Sequence, residues 1–176
     1  MLMSLPGGVV DPAVLVVFNC STACFFDTLP FMTASPETTL RTERLIAAPT
    51  DKVFGAFEQP ERLARWWGPN GFTNTFVEFD FRPGGHWRHI MRGPDGRNYP
   101  NETIFREIRP CERIVLEHVM DPWFTLTIEL IPEGNQTRIV WSQEFKSRQV
   151  AEALRSLCEP ANEQNLDRLE QVLKSC

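Results

Sequence analysis

Six short segments between Phe72 and Phe145 read as strands, and one long amphipathic segment follows them. That order leaves few folds open. FTNTFVEFDF, HWRHIM, NETIFREI, ERIVLEHV, WFTLTIELI and TRIVWSQEF are rich in aromatic and β-branched residues. The breaks between them carry turn chemistry: RPGG at 82–85, GPDG at 93–96, Pro110, the Asp121-Pro122 pair and the EGN run at 133–135. In RPGG, Pro83 fixes its own φ and the two glycines accept positive φ without steric cost. After Phe145, the spacing of Val150, Ala153, Leu154, Leu157, Ala161, Leu166, Leu169, Val172 and Leu173 predicts a helix to the end of the chain. Pro160 either kinks that helix or marks its early turns.

Upstream, TLRTERLIAA at 39–48 alternates and stops before Pro49, so it reads as a further strand. Thr50 or Asp51 is placed to cap a helix whose apolar residues Val53, Phe54 and Phe57 fall at helical spacing. Pro60 interrupts, and PERLARWWG forms a second short helix with Pro60 in its first turn and Gly68 at its end. The predicted order is strand, two short helices, six strands and a long helix, an α+β chain. A seven-stranded antiparallel sheet must bury one face, and the large amphipathic partner for it is the C-terminal helix. A curved sheet wrapped around one helix leaves a gap wherever the facing side chains fall short. That gap is the natural ligand cavity.

Charge narrows the function classes. The 176-residue chain has a net charge of −5 and no block of Lys or Arg, which argues against a nucleic-acid partner. Residues 1–40 contain no Lys, Arg or His, and their apolar run VVDPAVLVVFN is broken by Asp11 and Pro12. It lacks the basic flank of a signal peptide and falls short of the roughly 20 apolar residues of a membrane helix. These residues are expected to be a poorly ordered extension, with residues 41–176 forming the domain and a cytoplasmic location. Of the five cysteines, Cys20 and Cys24 form a close pair that no second pair completes into a zinc site. Isolated thiols in a reducing compartment are the expectation.

Taken together, APTDKVFGAFEQPERLARWWGP, DFRPGGHWRHIM with its following PDG, and IFREIRPCERIVL resemble the activator of heat-shock-protein-90 ATPase homologue family. That family lies in the START-like, helix-grip (SRPBCC) superfamily, and the resemblance covers residues 41 to 174. It implies a seven-stranded antiparallel sheet gripping a long C-terminal helix around a pocket. It also implies binding of small hydrophobic molecules and, as an expectation, a homodimer. In the co-chaperones that share this domain, a separate domain binds the chaperone, and residues 1–40 are too short to be one.

Alternation assigns candidate site residues. In HWRHIM, Trp87, His89 and Met91 share the more apolar face, expected to point to the pocket, whereas His86 and Arg88 share the other. The two histidines therefore part to opposite faces and cannot chelate one metal. No metal or other cofactor is expected. The same logic adds Tyr99, Asn101, His118, Trp141 and Gln143 as pocket residues. Trp66 and Trp67 cannot both point the same way from a helix, and Trp66 is assigned to the pocket. With no nucleophile motif present, the leading expectation is non-enzymatic binding of a small hydrophobic or aromatic ligand. One alternative is a cyclase or aromatase in which His89, with Tyr99 or His118, moves protons on a polyketide-like substrate. Another is a co-chaperone-like domain of the stress response, which needs an exposed apolar patch on its outer surface.

Overall fold

A computed structural model describes residues 37–175. The expected extension of the first forty residues, as far as residue 36, lies outside the described residues, as does the Cys20–Cys24 pair. The elements are β1 (Thr39–Ile46), α1 (Thr50–Glu58), α2 (Pro60–Trp66), β2 (Thr73–Phe79), β3 (His86–Arg92), β4 (Asn98–Arg109), β5 (Arg113–His118), β6 (Phe124–Glu133), β7 (Gln136–Phe145) and α3 (Arg148–Lys174). The seven strands form one antiparallel sheet in the order β1-β7-β6-β5-β4-β3-β2, so β1 and β2 are its edges. The register shifts between Phe76 and Glu78 in β2, and between Phe105 and Glu107 in β4. Such bulges bend a strand and increase its twist, which helps the sheet curve around α3.

The turns follow their chemistry. Gly84 sits at φ 80°, and a Cβ on Gly85 would collide with the Asp80 carbonyl, so both glycines of RPGG are sterically required. The predicted cap differs. Pro49 is the N-cap residue of α1 and Thr50 already lies inside the helix, with no side-chain cap bond. A proline suits that position because it has no N–H, and an N–H at a helix start would have no partner within the helix. Ser147 does cap α3, its hydroxyl accepting from the Val150 N–H at 3.3 Å. Pro160 lies within α3, which runs unbroken past it.

One face of the sheet is packed under the helices. Trp87, Phe105, Leu116, Ile128, Ile139 and Trp141 meet Val53, Phe57, Leu63 and Trp66 from α1 and α2, and Leu166, Leu169 and Val172 from α3. The aromatic residues interlock edge to face: Trp66 lies 4.8 Å from Phe57, and Phe105 lies 5.0 Å from Phe81. The other face is a charge ladder. Arg88 donates to Glu78 at 2.6 Å and to Glu102 at 2.9 Å, His86 contacts the same Glu102, and Arg106 pairs with Glu117. That outer face carries paired charges at the positions where alternation puts them outside.

Candidate functional site

Beside the aromatic core, the facing layers separate. A cavity of about 330 Å³ opens there between strands β3, β4, β6 and β7, the loop at 67–72 and the middle of α3. Its walls are mostly apolar. The sheet contributes Met91, Phe124, Leu126 and Trp141, the loop contributes Trp67, Pro69 and Phe72, and α3 contributes Leu157, Cys158 and Ala161. The polar lining consists of four amide side chains, Asn101, Gln143, Asn162 and Asn165. Among the described residues no Lys, Arg, His, Asp or Glu lines it. Burial pushes the Cys158 thiol up, and nearby Glu159 adds to the effect.

The loop wall is held by its backbone from α3. Asn165 Oδ1 accepts from the Gly68 N–H at 2.5 Å, and Gln164 Oε1 accepts from the Asn70 N–H at 2.9 Å. The Arg168 guanidinium donates to the carbonyls of Arg65, Gly68, Pro69 and Phe72 at 2.8, 2.6, 2.9 and 3.1 Å. A planar guanidinium with several fixed donors suits such a cluster of carbonyls, where a lysine has one point of attachment. Asn74 completes the anchoring from β2, donating to the Trp67 carbonyl at 2.6 Å. Gly68, at φ 93°, takes the backbone out of α2 into this loop.

Two of the four amides are engaged by the protein. Asn101 donates to the Tyr99 carbonyl at 2.8 Å, and its Oδ1 lies 3.2 Å from His118 Nε2, while His118 Nδ1 faces the Pro122 carbonyl at 2.9 Å. Asn165 holds Gly68. By contrast Gln143 Oε1, Asn162 Nδ2 and the Trp141 indole N–H have no hydrogen-bond partner among the described residues. A buried donor or acceptor left unpaired costs about 1–3 kcal/mol. Three such groups belong to residues that line the cavity, and the neighbouring inner face adds Trp87 Nε1 and both ring nitrogens of His89.

The family model described as "Activator of Hsp90 ATPase homolog 1-like protein" matches residues 47–174. The chain belongs to that family. No curated protein matches it. A Chromobacterium violaceum protein is 27% identical with a TM-score of 0.68, covering 76% of this chain and 96% of its own. A Nitrosomonas europaea protein reaches a TM-score of 0.75 at 24% identity, covering 80% and 96%. An Arthrobacter aurescens protein reaches 0.73 at 22%, covering 80% and 88%. These likenesses agree on the helix-grip fold, a scaffold consistent with a ligand-binding domain.

Within this member of the Activator of Hsp90 ATPase homolog 1-like family, the residues expected at the pocket separate into three groups. Met91, Asn101, Trp141 and Gln143 line the cavity. Trp66, Trp87, His89 and His118 are buried but stand outside its lining. Tyr99 is 42% exposed and its hydroxyl reaches Asp95 at 3.4 Å. Trp66, three residues after Leu63 on the same helix face, is sealed in the core with its indole N–H on the Ala56 carbonyl at 3.0 Å. Trp67 lines the cavity instead, because α2 ends there and its backbone turns extended (φ −65°, ψ 133°). Asn162 and Asn165 lacked an apolar signal, although both share the 3–4 spacing of Leu166, Leu169 and Val172. Leu157, counted with the apolar stripe, is 67% exposed at the cavity's α3 side.

His89 lies on the inner face, 3% exposed, stacked 4.3 Å from Trp87, and neither ring nitrogen has a hydrogen-bond partner among the described residues. Burial, with a smaller contribution from nearby His118, lowers its pKa to about 4, so it is neutral at pH 7. His86 sits on the opposite face against Glu102, and the two histidines do not meet. Among the described residues no group of three or more His, Cys, Asp or Glu side chains is placed to hold a metal ion. Among them, too, no helix is long and apolar enough to cross a membrane.

Proposed function

We propose that this chain binds a small hydrophobic or aromatic molecule between its sheet and α3, without transforming it. The observation that carries this reading is the cavity lining: aromatic and aliphatic on every side, with amides as its polar points. Catalysis by general acid and base needs titratable groups within reach of the substrate. The lining offers one titratable group among the described residues, Cys158, and burial keeps it in the thiol form. His89, Tyr99 and His118, the proton carriers of a cyclase-type reading, lie outside the lining. A co-chaperone surface draws little support from an outer sheet face occupied by ion pairs.

Native mass spectrometry of freshly purified protein tests the proposal. The expected result is a low-mass adduct that dissociates on collision and leaves the protein mass, together with a thermal upshift when the stripped protein meets a panel of apolar aromatics. A bare protein with no upshift across the panel removes the reading.

A further inference from the structure

We infer that the bound molecule carries an uncharged head with both a hydrogen-bond donor and an acceptor, as a carboxamide or lactam does, and that Gln143 and Asn162 recognise it. This rests on the binding reading above and adds the chemical class of the ligand. Four amide side chains line one cavity, yet the protein engages two of them, Asn101 and Asn165, with its own groups. The other two come from opposite walls, Gln143 from β7 and Asn162 from α3, and are 7% and 5% exposed. Gln143 Oε1 is an acceptor and Asn162 Nδ2 a donor, each without a hydrogen-bond partner among the described residues. The unpartnered indole N–H of Trp141, two residues before Gln143 on the same strand face, adds a second donor. These atoms are buried in the wall, and rotation about the broad terminal amide torsion turns Gln143 and Asn162 toward an occupant.

The charge of the head follows from the same lining. A carboxylate entering it meets no cation and an ammonium meets no carboxylate among the described lining residues. An unpaired charge out of water is strongly disfavoured. Arg168, on the same helix, has its guanidinium committed to carbonyls of the loop and of the end of α2. A neutral head that both donates and accepts satisfies the orphaned atoms and brings no unpaired charge.

The test uses the full chain and four probes that share one ring system: naphthalene, naphthalene-2-carboxamide, naphthalene-2-carboxylate and naphthalen-2-ylmethylammonium, titrated at pH 7 by calorimetry. The carboxamide is expected to bind about ten-fold more tightly than naphthalene, and each charged probe more weakly than the carboxamide by at least about that factor. In Gln143→Leu and Asn162→Leu the ratio of carboxamide to naphthalene affinity should shrink by about five-fold. The wild-type series decides the point whether or not the variants fold. Equal affinity for carboxamide and naphthalene overturns the head-group inference and leaves apolar binding standing. Tightest binding of the carboxylate or the ammonium also overturns it. Binding of none of the four overturns both this inference and the reading beneath it.

Discussion

Arg88 and His89 are neighbours in β3 and live under opposite rules. Arg88 faces out, carries a full charge and is held by two carboxylates, Glu78 and Glu102. Its hydrogen bond is the main cause of the lowered pKa of Glu102, with His86 adding to it. His89 faces in, is kept neutral and has no partner for either nitrogen among the described residues. The contrast extends across the sheet. Outer-face polar groups satisfy one another at the edge of water, while several inner-face polar groups, Gln143 and Trp141 with His89, go unsatisfied. Desolvation explains the difference. An exposed charge loses little solvation, so a pair there gains little, whereas an inward polar group is tolerated only if neutral or if something else completes it. The inner face near the cavity is thus where the fold accepts a cost that packing alone does not explain.

Substitutions along one strand and one helix sharpen this contrast, and the largest effect is expected at Trp87. Trp87→Ala removes a ring that is 1% exposed and surrounded by Phe76, Phe79, Phe105 and Trp67, so chemical denaturation should show a loss of about 3–5 kcal/mol. His89 comes next, through pH. Its folded-state pKa is depressed to about 4 from 6.5, so well above pH 6.5 neither state binds the proton and the group has no effect. As pH falls from 6.5 to 4 the unfolded chain takes up a proton that the folded chain refuses, and stability drops by up to about 3 kcal/mol before levelling off. His89→Phe should abolish that part of the pH dependence; equal slopes for variant and wild type would show that His89 is not held neutral.

Arg168→Met should cost about 2 kcal/mol by removing the donors to three loop carbonyls and to the Arg65 carbonyl at the end of α2, and should weaken ligand binding more than stability, because the 67–72 wall loses its anchor. The smallest effect belongs to Arg88→Ala. Its ion pairs are exposed, so the denaturation midpoint should stay within error and ligand affinity should not change. A large loss from Arg88→Ala would break the contrast between the two faces.

Most of the fold was legible because alternation and turn chemistry act locally: RPGG, GPDG and the EGN turn separate strands whose inward residues come out buried, and the two histidines of HWRHIM do part to opposite faces. The cavity was legible where alternation alone decides direction, as at Met91, Asn101, Trp141 and Gln143. It was hidden where direction depends on where a helix ends. Trp66 and Trp67 are identical in kind, and the break in α2 after Trp66 sends one to the core and the other to the cavity. Asn162 and Asn165 were hidden for another reason. A hydrophobic stripe is read from apolar residues, so a polar residue on the buried side of α3 looks like solvent-facing sequence until the packing is seen. The same bias placed Leu157 inside, although it is mostly exposed.

The central claim is that an occupant enters between the sheet and α3, and the five tryptophans report on it separately. Trp67 and Trp141 line the cavity, Trp66 is sealed behind it on the Ala56 carbonyl, and Trp123 bonds to Glu117 at 2.9 Å on the outer face. The most direct measurement is a titration of the ¹⁵N-labelled chain with naphthalene-2-carboxamide, followed through the indole N–H resonances. The account predicts large, saturable shifts for Trp67 and Trp141 with Trp66 and Trp123 nearly still. Saturable shifts centred on Trp123, or no saturable shift at any indole, would contradict it.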